Sequence, residues 1–400
     1  MKELHLGYLA AGGLALVLAL FSYQVRRLPV TGPLLALGLG VLAGPEVLAV
    51  LTVPERLLEP LLLEAARLML AISLIGVALR FPVTSLRPVL RPVVLLVAVV
   101  MPLAAVVTGA LAVALVGLPL SLALLLGASL SPTDPVLASD VVSGMPAEEE
   151  LPETMRQVLT EESGANDGLA LPLVLIALAP ILGETLAGEA QAALYEVVVA
   201  VVLSIAIGAA TAGTLRAVDA RWSVERPSEM VLTMVMAVAV LGACQVVGAN
   251  GVLGVFVAGL AYNAAIGKME REEQEALDEV ANRYLVLPFF LLVGVALPWE
   301  QWGRIGGDVV LFAVAVVVLR RLPVVVALAR PLGLRLRDAL FVGWFGPLGA
   351  SSVFYLAFSL EEGATDPRVF ALGMAVVALS TVVHGVSAIP LRKLYARAGS

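Results

Sequence analysis

Thr133, Asp134, Asp140, Glu162, Ser163, Asn166 and Asp167 stand inside stretches otherwise apolar enough for a membrane interior. Ser131-Pro132-Thr133-Asp134-Pro135 is followed by Asp140, and a short acidic linker later by Glu162-Ser163-Gly164-Ala165-Asn166-Asp167. Carboxylates in hydrocarbon cost several kcal/mol each, so their default reading is an ion or proton site. Ser163 and Asp167 are four residues apart, as are Glu162 and Asn166, so a helix would place each pair on one face. Such a surface offers hard oxygen ligands, the kind a small hard cation takes. Burial disfavours the charged carboxylate, which lets one group hold either a proton or a metal cation. Asn166 adds polarity without a second charge. Asp134 before Pro135 reads as a helix N-cap with proline at the first helical position. That gives Asp134 a structural role, whereas Thr133 at the break offers a hydroxyl or a freed carbonyl oxygen.

Composition sets the frame for these residues. Of 400 residues 60% are hydrophobic and 14% charged, with mean hydropathy +0.99, far from a soluble globular chain. Apolar runs of about 20 residues recur, the length that crosses a bilayer as helix; the short alternating strands of a membrane β-barrel are absent. The expected fold is all-α and polytopic, one membrane domain over residues 1–400. Thirteen spans are predicted, near 6–24, 30–50, 57–79, 92–116, 118–142, 153–181, 191–214, 229–247, 250–267, 283–298, 308–329, 338–360 and 368–391. The first is read as a retained helix, since Leu28-Pro-Val-Thr-Gly lacks a small-residue cleavage site. With the N-terminus outside and the C-terminus cytoplasmic, 18 lysines and arginines fall inside the cell, four outside and three within spans.

Two spans carry interruptions. The prolines of Ser131–Pro135 break span 5, and Gly343-Trp-Phe-Gly-Pro347-Leu-Gly349 breaks span 12. The two cross in opposite directions, the pointer to inverted repeats with a site where the breaks meet; two functionless proline kinks are the plain alternative. Arg320-Arg321 is the only adjacent basic pair inside a span, and it needs interior partners: Glu162, or the negative ends of half-helices. If the span starts later, both arginines instead snorkel. Glu64 and Arg67 read as a mutual ion pair, and His384 as hydrogen-bonded structure or a pH sensor. The acidic runs of loops 143–152 and 268–282 read as solvated surface. The single cysteine, Cys244, excludes an intrachain disulfide and a cysteine metal cluster.

At these positions the chain resembles the monovalent cation:proton antiporters, in particular the NhaP-like branch of the CPA1 group. The resemblance runs over essentially the whole chain: Thr133-Asp134-Pro135 in span 5, Glu162-Ser163 and Asn166-Asp167 in span 6, basic residues in span 11, and Gly-Pro-x-Gly in span 12. It implies an NhaA-like antiporter fold, a homodimer in which a core of spans 4–6 and 11–13 moves against spans 1–3 and 8–10. It implies that Asp167 binds cation or proton, that Glu162, Ser163 and Thr133 help coordinate it, and that Asp134 supports the crossing. An arginine of span 11, Arg320 or Arg321, would pair with Glu162 or stabilise the core. Asn166-Asp167, rather than two aspartates, is the pattern of electroneutral members. Leu348 stands where many relatives have arginine, and Gly164-Ala165 replaces a bulky pair.

The expected activity is therefore exchange of Na⁺, or Li⁺ or K⁺, for H⁺ across the cell (inner) membrane, serving pH homeostasis. It needs no cofactor, no enzyme chemistry and no nucleic acid. A sodium-coupled symporter of an organic anion is the alternative, with Arg320 or Arg321 as anion partner; few other polar residues in the spans support it. A channel lacks a repeated filter motif, and an intramembrane hydrolase lacks a nucleophile or metal partner for His384.

Overall fold

The computed structural model describes residues 30–221, 228–266 and 285–397. The expected first span at 6–24 and the loop 268–282 lie outside the described residues. The described chain is helical: α1 Gly32–Ala43, α2 Glu55–Leu79, α3 Arg87–Val116, α4 Leu120–Ser129, α5 Pro135–Val142 and α6 Glu153–Leu182, then α7 Leu186–Arg221, α8 Glu229–Val246 and α9 Gly251–Ile266. It continues with α10 Val286–Val295, α11 Trp299–Ile305, α12 Asp308–Ala327, α13 Leu336–Trp344, α14 Ala350–Glu361 and α15 Pro367–Arg397.

By length and composition seven of these helices can cross a membrane, and eight if α10 and α11, bent by 51°, form one span. Outward faces stay apolar, as a lipid-facing surface requires: Val198, Val202 and Ile205 of α7 and Val310, Leu311 and Val314 of α12 are exposed. Several boundaries differ from expectation. The run at 30–50 is helical only to Ala43, because Gly44-Pro45 ends it and 44–50 forms turns. The run at 191–214 extends to 186–221, since nothing in its flanks stops a helix.

The helices that matter for the site are held by small residues. α3 and α4 pack closely, and a Cβ at Gly127 would collide with the Ala105 carbonyl oxygen. α2 packs against α9 and α14, and α6 against α5 and α9. α6 is interrupted at Ala170, just before Pro172, whose missing N–H removes one rung of the ladder. Asn250 takes up the carbonyl freed there: its Nδ2 donates to the Gly168 carbonyl at 2.7 Å, while its Oδ1 accepts the Leu253 N–H at 2.9 Å.

Candidate functional site

Two irregular segments, 130–134 and 345–349, meet inside the bundle. The Asp134 N–H donates to the Pro347 carbonyl at 2.8 Å, joining them directly. Unwound backbone away from water must find partners for its amide groups, and here several of them are identifiable. Asp134 Oδ1 accepts the N–H groups of Val136 (2.7 Å) and Leu137 (3.1 Å), capping α5. Asp134 Oδ2 accepts the Ala350 N–H, capping α14. The Leu348 N–H donates to Ser380 Oγ at 2.8 Å.

The freed carbonyls are met by a cation. Arg320, 2% exposed, donates from Nη1 to the carbonyls of Leu130 and Ser131 and from Nη2 to that of Gly346 (2.6 Å). One guanidinium thus neutralises the negative ends of both interrupted helices. Arg321 is engaged by a side chain instead. Its Nη1 and Nη2 grip the two oxygens of Glu162 at 2.5 and 2.7 Å, and its Nε donates to the Val342 carbonyl at 3.2 Å. Neither arginine snorkels. α12 begins at Asp308, so both lie well along it, at a local interruption of the helix, and are held by interior partners.

Glu162 passes the network to α5's entry. Asn166 Nδ2 donates to Glu162 Oε1 (3.3 Å) and to Thr133 Oγ1 (2.8 Å), and its Oδ1 accepts the Thr133 N–H (3.2 Å). Thr133 Oγ1 also shares a hydrogen bond with Ser163 Oγ at 3.0 Å. Thr133, Asp134, Glu162, Ser163, Asn166 and Asp167 are all buried, so the residues singled out by type alone are brought into one cluster. The side chain of Asp140 lies outside the described residues.

Asp167 differs from the rest. It is fully buried, yet neither carboxylate oxygen has a hydrogen-bond partner among the described residues. Its main-chain carbonyl accepts the Tyr355 hydroxyl, which fixes α6 against α14. A carboxylate sealed from water without donors is costly unless it carries a proton or meets a cation. One turn earlier on α6 space is tight: a Cβ at Gly164 would lie 2.5 Å from Phe256 Cε2 and 2.8 Å from Val77 Cγ1. That is the local reason for glycine at position 164.

Other residues complete the setting. Sequence reasoning does not single out Tyr355 or Asn250, whose types are commonplace in membrane helices. It also misses Glu161, which is buried and faces the Arg80 charge; its position beside Glu162 was the available signal. Glu64 and Arg67 form an ion pair on α2, remote in role from the cluster. His384 is buried, with Nδ1 2.9 Å from the Ser380 carbonyl and Nε2 3.0 Å from that of Trp344, tying α15 to the end of α13.

Fold and site together define a multi-pass helical membrane protein that keeps a buried carboxylate and a charge-balanced oxygen cluster where two interrupted helices meet. Residues 13–394 match the model of the family described as "Sodium/hydrogen exchanger, transmembrane", and the chain belongs to that family. It is 29% identical over 376 residues to Na(+)/H(+) antiporter 2 of Zygosaccharomyces rouxii, covering 88% of this chain and 46% of that one. It is likewise 29% identical over 373 residues to the Na(+)/H(+) antiporter of Saccharomyces cerevisiae, covering 88% and 38%. The chain thus spans less than half the length of these two yeast proteins. Its fold is similar to that of the sodium proton antiporter MjNhaP1 from Methanocaldococcus jannaschii, with TM-score 0.77, 16% identity and 99% of each chain covered.

Proposed function

We propose that this protein is a secondary antiporter exchanging Na⁺, or Li⁺ or K⁺, for H⁺ by alternating access, electroneutrally and one for one. The observation that carries this reading is Asp167, a fully buried carboxylate whose two oxygens have no donor among the described residues. One site that must be filled by either a proton or a cation couples their fluxes, because occupancy by one excludes the other. Glu162 is committed to Arg321 and Asp134 to two helix ends. That leaves Asp167 as the titrating group, with Ser163 and Thr133 as neutral oxygen ligands, Asn166 ordering them, and Asp134, Glu162, Arg320 and Arg321 holding the crossing.

The remaining organisation belongs to the same proposal. Thirteen spans would form two inverted repeats, with spans 5 and 12 interrupted. Spans 4–6 and 11–13 would form the moving core, and spans 1–3 and 8–10 the part that pairs two copies. The N-terminus would lie outside and the C-terminus in the cytoplasm of a cell whose inner membrane holds the protein and whose pH it serves. No resident cofactor is required. The organic-anion symporter loses its anion partner, since Arg320 and Arg321 are both engaged by protein oxygens.

The test uses purified protein in liposomes with an imposed pH gradient, to which Na⁺, Li⁺ or K⁺ is added. Collapse of the gradient by a cation in the wild type, absent in Asp167→Asn, supports the reading and ranks the cations. No collapse with any of them from about pH 6 to about pH 9 overturns it. Collapse that survives the substitution keeps antiport and removes Asp167 from the site.

A further inference from the structure

The oxygens gathered on α6 and α5's entry leave a desolvated cation open on one side. Asp167 contributes a carboxylate, and Ser163 and Thr133 contribute hydroxyls already bonded to each other. A hard cation stripped of water asks for several oxygens around it.

The facing wall is the first turn of α14. Buried hydroxyls on this protein's helices commonly bond the carbonyl one turn back: Thr108 to Ala104, Ser359 to Tyr355, Thr381 to Val377. Ser351 does not, and neither does its neighbour Ser352; Ser351 is fully buried and its hydroxyl has no partner among the described residues. The carbonyl four residues before it, that of Pro347, already accepts the Asp134 N–H.

Its neighbours fix where Ser351 stands. On one side Ala350 is bonded to the Asp134 carboxylate. One turn on, along the same helix face, Tyr355 is bonded to the Asp167 carbonyl. Between these anchors Ser351 follows directly on Ala350 and lies one turn before Tyr355, and neither its hydroxyl nor the Asp167 carboxylate has a hydrogen-bond partner among the described residues. Two buried, unsatisfied polar groups on opposed helices form half of a coordination shell.

We propose that Ser351 is a further ligand of the transported cation, its Oγ closing from α14 the oxygen set that Asp167, Ser163 and Thr133 offer from the other side. The inference rests on the antiporter reading above and deepens it. A cation held this way draws on α6, the break before α5 and the half-helix after the second break together. Binding then satisfies both orphaned groups in one step.

The experiment measures cation-driven gradient collapse in liposomes for wild type, Asp167→Asn, Ser351→Ala, Ser351→Cys and Ser352→Ala, with Na⁺, Li⁺ and Tl⁺ as probes. Loss of one neutral ligand to a charged centre raises the KM for Na⁺ roughly tenfold in Ser351→Ala. The near-isosteric Ser351→Cys replaces a hard oxygen by a soft sulfur and shifts preference from Na⁺ toward Tl⁺. A merely structural serine would not produce that shift. Ser352 is equally buried, so an equal KM rise in Ser352→Ala overturns the assignment as a packing effect. An active wild type and inactive Asp167→Asn, with KM and selectivity unmoved at Ser351, overturns this inference alone. A wild type inactive with every cation overturns the antiporter reading and this inference with it.

Discussion

The two carboxylate oxygens of Asp134 serve two different helices: Oδ1 takes the Val136 and Leu137 N–H groups at the start of α5, and Oδ2 takes the Ala350 N–H at the start of α14. One side chain therefore caps both half-helices that begin inside the bundle, and its charge lies against both positive helix ends.

This arrangement orders the Asp134 variants. Asp134→Ala strands three buried N–H groups and is expected to lose about 2–4 kcal/mol. Asp134→Asn keeps one acceptor oxygen but turns an amide nitrogen toward a donor, so its loss falls between. Unfolding in detergent, followed by thermal melting, should rank wild type above Asn above Ala. Equal melting of all three would mean that water or a shift of the break replaces the caps.

The grip of Arg321 on Glu162 calls for a double-substitution cycle. Both partners are nearly inaccessible. Removing one leaves a buried charge alone, at a cost of roughly 3–5 kcal/mol, whereas removing both together costs much less than the sum. Arg321→Met and Glu162→Leu should each lower the melting temperature sharply, and the double variant should recover much of it. Arg321→Lys keeps the charge but cannot span two oxygens, and should melt between Arg321→Met and wild type. Strict additivity would show that the two residues act apart.

What could be read in the sequence, and what could not, follows from these contacts. Polar side chains stand out against 60% hydrophobic residues, because at membrane depth residue type alone marks expense. Thr133, Glu162, Ser163, Asn166 and Asp167 were legible for that reason, and the four-residue spacing gave their shared faces. The division of labour between Arg320 and Arg321 was not, because the partners of Arg320 are main-chain carbonyls that carry no letter in the sequence. Ser351 and Tyr355 were hidden for the opposite reason: serine and tyrosine are ordinary in membrane helices, and only the joining of Asp134 to Pro347 makes their placement telling. Helix ends such as Ala43 depend on local turns that hydropathy does not register.

Gly164 offers a prediction about tightness. Phe256 and Val77 fill the space a Cβ would need, so Gly164→Ala must push the Phe256 ring aside or displace α6. Overpacking of this kind costs about 1–3 kcal/mol. Phe256→Leu added to Gly164→Ala should restore most of the loss and, by letting α6 settle back, the wild-type KM for Na⁺. A double variant no better than the single one would place the strain elsewhere.

Competition at Asp167 makes the last prediction. If proton and Na⁺ exclude each other on one carboxylate, the apparent affinity for Na⁺ is linked to proton occupancy. Below the pH at which Asp167 gives up its proton, each unit of acidification should raise the KM for Na⁺ about tenfold, while the rate at saturating Na⁺ stays nearly level. Above that pH the KM should flatten, and net exchange should slow because the return step lacks protons. Initial rates across Na⁺ concentrations from about pH 6 to about pH 9 would separate this from a sensor elsewhere, such as His384. A sensor would lower the saturating rate on one side of its titration and leave the KM unchanged. A KM that climbs with acid at constant saturating rate is the signature of two ions contending for the same pair of oxygens.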